Sequence, residues 1–198
     1  MSPRTMTGGR TSRTLHEPTP PLDDGVVRLR VWDDADVDQL TAACQDAVLQ
    51  RFIPIPQPYG REDAERYVAR TRRQWATGEK AAFAIVDPED PAVLLGGTSI
   101  ALCGPTGTAA YWVATAVRGL GIASRVLALV SDWAFDDLGL GIVLLEIDPA
   151  NEASKAVARS AGYHECGAIA LGSGTRPDTV EHLLFARLAA DPHAPTRV

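Results

Sequence analysis

Val117-Arg118-Gly119-Leu120-Gly121-Ile122-Ala123 is the stretch on which the reading of this chain turns. A short aromatic and apolar strand, Tyr111-Trp112-Val113, precedes it, and a long helical pattern follows. Two glycines and a row of backbone amides therefore meet at a helix N-terminus. The first N–H groups of a helix have no intrahelical partner, and the helix dipole favours negative charge there. Such a turn is a seat for a phosphate group. Glycine at 119 and 121 lets phosphate approach the backbone where a side chain would intrude.

Taken alone, the loop has three readings. A P-loop fails, because no Gly-Lys-Ser/Thr ends it to supply the lysine and the magnesium ligand. A dinucleotide fingerprint matches at Gly119 and Gly121, but Ser124 replaces the third glycine. The strands before the loop are also too closely spaced to be parallel, as that fingerprint normally requires. The third reading is a tight strand-to-helix turn with no ligand.

Downstream, Ile122, Val126, Val130, Trp133 and Ala134 trace the buried stripe of a helix ending near Gly139. Ile142 to Ile147 is a nearly continuous apolar strand, as expected at the centre of a sheet covered on both faces. A helix follows from Asn151 to Ser160, closed by Gly162, with Asn151 placed to cap it at an N–H near Ser154. Strands at Tyr163 to Leu171 and Val180 to Leu188, joined by a Gly-rich turn, complete the sheet.

Upstream, a first strand spans Val26 to Trp32, and Asp33-Asp34 caps a helix carrying Val37, Leu40 and Cys44. A second helix runs from about Arg61 to Thr77, with Ala64, Tyr67, Val68 and Trp75 inward and Gly78 ending it. Between them Phe52-Ile53-Pro54-Ile55-Pro56-Gln57-Pro58-Tyr59 is too proline-rich for a central element. Apolar side chains on a rigid extended loop suit a pocket wall, or they seal a core edge. Phe83 to Val86 and Val93 to Leu102 read as strands, the second interrupted by Gly96-Gly97, and Gly104 to Gly107 turns the chain into Thr108 to Ala114. The fold class is α+β, with an antiparallel front half and a βαβ-like back half.

At 198 residues the chain fits one domain. It is expected to span 26–188 between a Pro- and Gly-containing flexible arm at 1–25 and a flexible tail at 189–198. The net charge of -6 argues against a nucleic-acid partner. Arg66, Arg70, Arg72 and Arg73 follow Glu62, Asp63 and Glu65 and read as a solvated helix face. Cys44, Cys103 and Cys166 lack metal-ligand spacing and are expected to be reduced and mostly buried. No apolar run follows Met1 or reaches membrane-spanning length, so a soluble cytoplasmic protein is expected, with no metal and no membrane partner.

From Tyr111 to Gly167 the sequence resembles the GCN5-related N-acetyltransferase (GNAT) superfamily, within it the branch like the ribosomal-protein N-terminal acetyltransferases. The family pattern Gln/Arg-x-x-Gly-x-Gly/Ala stands here as Arg118-Gly119-Leu120-Gly121-Ile122-Ala123. Asp148-Pro149-Ala150-Asn151-Glu152-Ala153-Ser154 and Ala161-Gly162-Tyr163 resemble the branch's Asn-x-x-Ser helix start and Gly-Phe/Tyr strand start. Phe52 to Ala64 resembles its proline-rich substrate loop. The likeness extends over about Val26 to Leu188.

The resemblance implies a single GNAT-like domain with a mixed, largely antiparallel sheet, flanking helices and splayed central strands. It implies acetyl-coenzyme A as cosubstrate, its pyrophosphate on the amides of Arg118, Gly119, Leu120, Gly121, Ile122 and Ala123, and its pantetheine arm along Trp112 and Val113. Asn151 is then a contact to the same arm, and Ser154 a hydrogen-bond donor to the departing thiolate. Phe52, Ile53 and Tyr59 are the implied acceptor contacts.

Acetyl transfer from a thioester needs a deprotonated amine, a reachable carbonyl and a stabilised oxyanion. An aimed amide donor is worth ~3–4 kcal/mol. By the resemblance, that donor is the N–H of Val113 or Trp112. Direct transfer in a ternary complex is expected, since no pattern couples a cysteine to a histidine. Glu146, near the end of the central strand, is the candidate base, although the branch often carries an arginine-like residue near that position. A water relay is the alternative. His164 sits beside Tyr163 with no carboxylate partner visible in the sequence, His182 lies on a late strand, and Tyr163 reads as a core aromatic. The expected acceptor is an α-amine on a protein or peptide, with a small-molecule amine as runner-up. A non-catalytic acyl-coenzyme A-binding module is a third reading, and a homodimer stays open.

Overall fold

Eight strands form one sheet in the computed structural model, which describes residues 15–172 and 179–191. They are β1 (Leu22–Asp23), β2 (Arg28–Val31), β3 (Lys80–Val86), β4 (Leu94–Cys103), β5 (Thr106–Val113), β6 (Ile142–Ile147), β7 (His164–Gly172) and β8 (Thr179–Leu188). Their spatial order is β1-β2-β3-β4-β5-β6-β8-β7. Neighbours are antiparallel except β5 and β6, which pair in parallel. That one parallel step needs a long crossover, and helix α4 (Ile122–Asp136) supplies it.

The other helices are α1 (Val37–Ala43), α2 (Ala47–Phe52), α3 (Arg61–Thr77) and α5 (Glu152–Ser160). α3 forms where the residues predict it. Ala64, Val68, Thr71 and Trp75 repeat at helical spacing and are buried, Asp63 accepts the Gly60 N–H, and Gly78 ends the helix in the left-handed conformation at φ 69°.

The sheet divides two cores, because successive side chains of a strand point to opposite faces. Phe83, Ile85, Ile100, Val143, Leu145 and Phe185 pack with Val126, Leu127, Val130 and Trp133 of α4. On the other face Trp32, Ala82, Ala84 and Val86 pack with Val37, Leu40, Ala64 and Val68 of α1 and α3.

Several expectations change. Order starts before Val26: Leu15 is buried in the α4 core, and Leu22 and Asp23 pair with Leu29 and Arg28. The described part of the expected arm therefore belongs to the domain, while 1–14, 192–198 and the Gly-rich turn at 173–178 lie outside the described residues. β4 runs unbroken through Gly96-Gly97. The glycines are there for close approach: a Cβ on Gly96 would sit 2.3 Å from the Trp112 carbonyl oxygen, and one on Gly97 2.7 Å from Trp112 Nε1. β6 is covered on one face only; Val143, Leu145 and Ile147 are buried, Ile142 and Leu144 half-buried and Glu146 exposed. Of the cysteines, Cys44 is buried but Cys103 and Cys166 are exposed, and all three are free. Among the described residues no helix is long and apolar enough to cross a membrane, and no His, Cys, Asp and Glu cluster could hold a metal.

Candidate active site

The parallel ladder between β5 and β6 runs from Thr106 and Ile142 to Ala109 and Leu145 and stops there. Both strands continue, β5 to Val113 and β6 to Ile147, so they part like the prongs of a fork. β4 still pairs with β5 as far as Val113. The Ala114 N–H donates to the Leu95 carbonyl of β4 at 2.8 Å. Backbone groups alternate in direction along a strand, so the N–H and C=O of Val113 turn the other way, into the fork. An extended ligand arm can pair with β5 at that edge.

Past the fork, a 3-10 turn at Thr115–Val117 leads into Arg118 and the glycine loop. Gly119 and Gly121 both have positive φ, 79° and 77°, and nothing lies within 4 Å of a Cβ built on either. Glycine is required here by the backbone turn, and the space above it is open. Gly121 caps α4 without a side-chain hydrogen bond, and no acidic residue occupies the first turn. The positive end of the helix dipole is therefore left for a ligand. Ile122 and Ala123 are buried and anchor the helix, whereas Leu120 is 66% exposed.

Arg118 turns back into the protein. Its Nη2 lies 2.7 Å from Asp46 Oδ1, and its Nε donates to the Val113 carbonyl at 3.4 Å. Asp46 also accepts from the Thr115 hydroxyl at 3.0 Å and, as the N-cap of α2, from the Leu49 N–H at 2.8 Å. The Arg118 hydrogen bond, aided by the Leu49 N–H and Thr115, outweighs desolvation and holds the Asp46 carboxyl down at about 2. Asp46 is absent from the sequence reading, although Asp before Ala47-Val48-Leu49 is itself a helix-start signal.

After β6, Asn151 caps α5 by accepting the Ser154 N–H on Oδ1 at 3.0 Å, as its position predicts. The Ser154 Oγ lies 2.8 Å from the hydroxyl of Tyr111 on β5. Burial pushes the Tyr111 phenol up, and the Ser154 contact opposes this. Tyr163 is a core residue, 1% exposed, with its hydroxyl 2.5 Å from Ser131 Oγ. Burial pushes it up to about 12.

The fork has two faces. Tyr111 and Val113 pack against the α4 core with Leu145 and Ile147. Trp112 and Glu146 alternate to the opposite face. There Trp112 stacks on Trp32 at 6.5 Å, and Trp32 meets the Tyr67 ring edge-on at 5.4 Å. Thus Glu146 and Ser154 lie on opposite sides of the sheet.

The proline-rich segment is split in its roles. Phe52 ends α2 and Ile53 follows it, both half-buried, with Ile53 packed against the α1–α3 core. Tyr59 is buried inside that core beside Cys44, so its ring forms a packing contact rather than a pocket wall. Burial there, against the Tyr59 hydrogen bond, pushes the Cys44 thiol up to about 11. His164 is exposed on the edge strand β7.

The acetyltransferase (GNAT) domain family model matches residues 27–164, and the chain belongs to that family. It is an acetyl-coenzyme A-dependent N-acetyltransferase. Among solved structures the fold is similar to RimL, a ribosomal-protein α-N-acetyltransferase in complex with coenzyme A, with TM-score 0.74 and 21% identity over 85% of this chain and 97% of that one. It is also similar to Mycobacterium smegmatis RimJ in complex with a coenzyme A disulfide, with TM-score 0.72 and 23% identity over 85% and 84% of the two chains. A microcin self-immunity acetyltransferase in complex with acetyl-coenzyme A and AMP gives TM-score 0.73 at 13% identity, over 84% and 94%. No curated protein matches the chain.

Proposed function

We propose that this enzyme acetylates the N-terminal α-amine of a protein or peptide in the cytoplasm. The observation that carries the reading is the fork between β5 and β6, which opens beside an uncapped helix N-terminus and has one uncovered face. Small-molecule sites bury most of their ligand. Here Glu146 is exposed and Leu144 beside it on the same face is only half-buried, which suits a chain end better than an enclosed metabolite. The fold likeness to RimL and RimJ agrees with such an acceptor. Free, exposed Cys103 and Cys166 suit a reducing compartment.

In this reading the loop amides from Arg118 to Ala123 hold the pyrophosphate, with Gly119 and Gly121 leaving it room. Trp112 and Val113 carry the pantetheine arm, and Asn151 adds a contact to it while holding Ser154 in place. The acceptor amine comes in on the Trp112 and Glu146 face, near Phe52 and Ile53. Its nitrogen attacks the acetyl carbonyl, and the Val113 N–H receives the oxyanion. Glu146 takes the amine proton, directly or through a water. The carbon–sulfur bond then breaks with its electron pair on sulfur, toward the hydroxyl of Ser154. Arg118 shapes the loop through Asp46.

The test is thiol release from acetyl-coenzyme A across a panel: peptides with free α-amines, the same peptides N-blocked but carrying lysine, and small amines. Release is expected with free α-amines and not with the blocked set. Release with small amines alone moves the acceptor to that class. Coenzyme A binding with no release across the panel makes the protein a binding module.

A further inference from the structure

We propose that Tyr111 is a positioning residue for the leaving thiolate: its phenol holds the Ser154 oxygen so that the Ser154 proton faces the sulfur of coenzyme A. This inference rests on the reading of Ser154 as the hydroxyl that meets that sulfur.

The geometry is specific. Tyr111 lies two residues past Ala109, the last β5 residue in the parallel ladder, so it stands on the free part of one prong. Ser154 stands on α5, which follows the other prong, 43 residues away in sequence. Their 2.8 Å contact therefore bridges the fork on the α4–α5 face, opposite to Glu146. The Ser154 backbone is already fixed by Asn151, which leaves the direction of its hydroxyl proton as the open variable.

A serine hydroxyl has one proton and two lone pairs. If that proton were spent on Tyr111, none would face the sulfur. A phenol is far more acidic than an alcohol, so the favoured polarity has Tyr111 donating and Ser154 Oγ accepting. A hydroxyl that accepts a hydrogen bond is polarised into a better donor through its own proton. Burial raises the Tyr111 phenol above its ordinary value, which favours the protonated, donating form. No proton needs to change owner: Ser154 stabilises the thiolate by a hydrogen bond, and solvent later supplies the proton that makes the free thiol.

The experiment is an ultraviolet titration of the thiol of bound coenzyme A, read as thiolate absorbance against the same protein holding desulfo-coenzyme A. It uses wild type, Tyr111→Phe, Ser154→Ala and the double variant. In the wild type the bound thiol should titrate about one pH unit lower than in either single variant, a tenfold difference in thiolate at fixed pH. The double variant should match Ser154→Ala, because Tyr111 acts only through that hydroxyl, and coenzyme A affinity measured below the titration, where the thiol is protonated, should stay level throughout. A Tyr111→Phe titration equal to wild type, with Ser154→Ala displaced, overturns the role of Tyr111 and leaves Ser154 standing. Wild-type titration in Ser154→Ala overturns the Ser154 reading and this inference together. Loss of coenzyme A binding in Tyr111→Phe reduces Tyr111 to a structural residue. Should Tyr111→Phe fail to fold, site-specific 3-fluorotyrosine at 111, a stronger donor of similar shape, must lower the bound thiol titration further; an unmoved titration sinks the proposal.

Discussion

Asp46 and Arg118 form an ion pair at 2.7 Å that ties the start of α2 to the loop before α4 across 72 residues. Since Arg118 also donates to the Val113 carbonyl, a single carboxylate braces the glycine loop and the free end of β5. Asp46→Asn keeps a good helix cap but removes the charge. A partly exposed pair is worth ~1 kcal/mol, so at neutral pH the variant should melt about 2–4 °C lower. The Asp46 carboxyl is lowered from 3.8 to about 2, so its stabilisation is present above the unfolded value and is lost as pH falls through the folded one. Melting curves of the two proteins should therefore converge between about pH 4 and pH 2. A gap independent of pH would show that the charge is not what braces the loop.

Gly121→Val forces a β-branched residue to φ 77°. A left-handed conformation costs ~1–2 kcal/mol for an ordinary residue, and the new side chain projects into the open space over the loop. Coenzyme A should bind at least about tenfold more weakly by calorimetry, with the circular dichroism spectrum retained. Unchanged affinity in the folded variant removes the phosphate seat.

Glu146→Gln tests the proton acceptor. The side chain is exposed, so the melting temperature should hold. A positioned base contributes about 10²–10⁴-fold, and a kcat loss of about a hundredfold or more is expected, with little change in affinity for acetyl-coenzyme A. An unchanged kcat would hand the proton to solvent or to another group.

The legible parts of this fold are those in which local signals agree. α3 could be delimited because an apolar stripe, an acidic first turn and a stop at Gly78 all mark the same helix. α2 escaped because its six residues are too few to show a period. β1, with two residues, exists only by pairing with β2. The apolar run of β6 suggested cover on both faces, but hydrophobicity does not say whether a helix is available for the second one. At the site, the glycine loop and the Asn151 cap are short-range features and were readable. Asp46–Arg118 and Tyr111–Ser154 are contacts between distant segments, and no spacing rule predicts them. Tyr111 did leave a trace, since Ala109, Tyr111 and Val113 share one phase of the strand alternation. Cys103 and Cys166, expected inside, lie at strand ends and edges where burial depends on neighbours.

Gly97→Ala should separate the acceptor side from the donor side. Its Cβ would come within 2.7 Å of Trp112 Nε1 and 2.8 Å of Trp32 Cζ2, so the indole pair must shift. Overpacking of this kind costs ~1–3 kcal/mol. Chemical denaturation should show that loss, tryptophan fluorescence should change, and the KM for a peptide acceptor should rise more than that for acetyl-coenzyme A. An unchanged KM for the peptide in a variant with the expected fluorescence change would show that Trp112 does not border the acceptor.

Tyr163→Phe should behave differently from a catalytic substitution. It removes the hydrogen bond to Ser131, whose hydroxyl still donates to the Leu127 carbonyl at 2.6 Å. A stability loss of ~1 kcal/mol with unchanged kcat is expected. A large kcat loss at full stability would bring Tyr163 back as an acid.

The fork between β5 and β6 makes the sheet a partition with a doorway in it. Trp112 and Glu146 stand on one side of that doorway, Tyr111 and Ser154 on the other. Two molecules that meet in such an opening need not share a corridor. With donor and acceptor on opposite sides, as proposed, each product can withdraw by the side from which its parent came, so departure of one imposes no queue on the other.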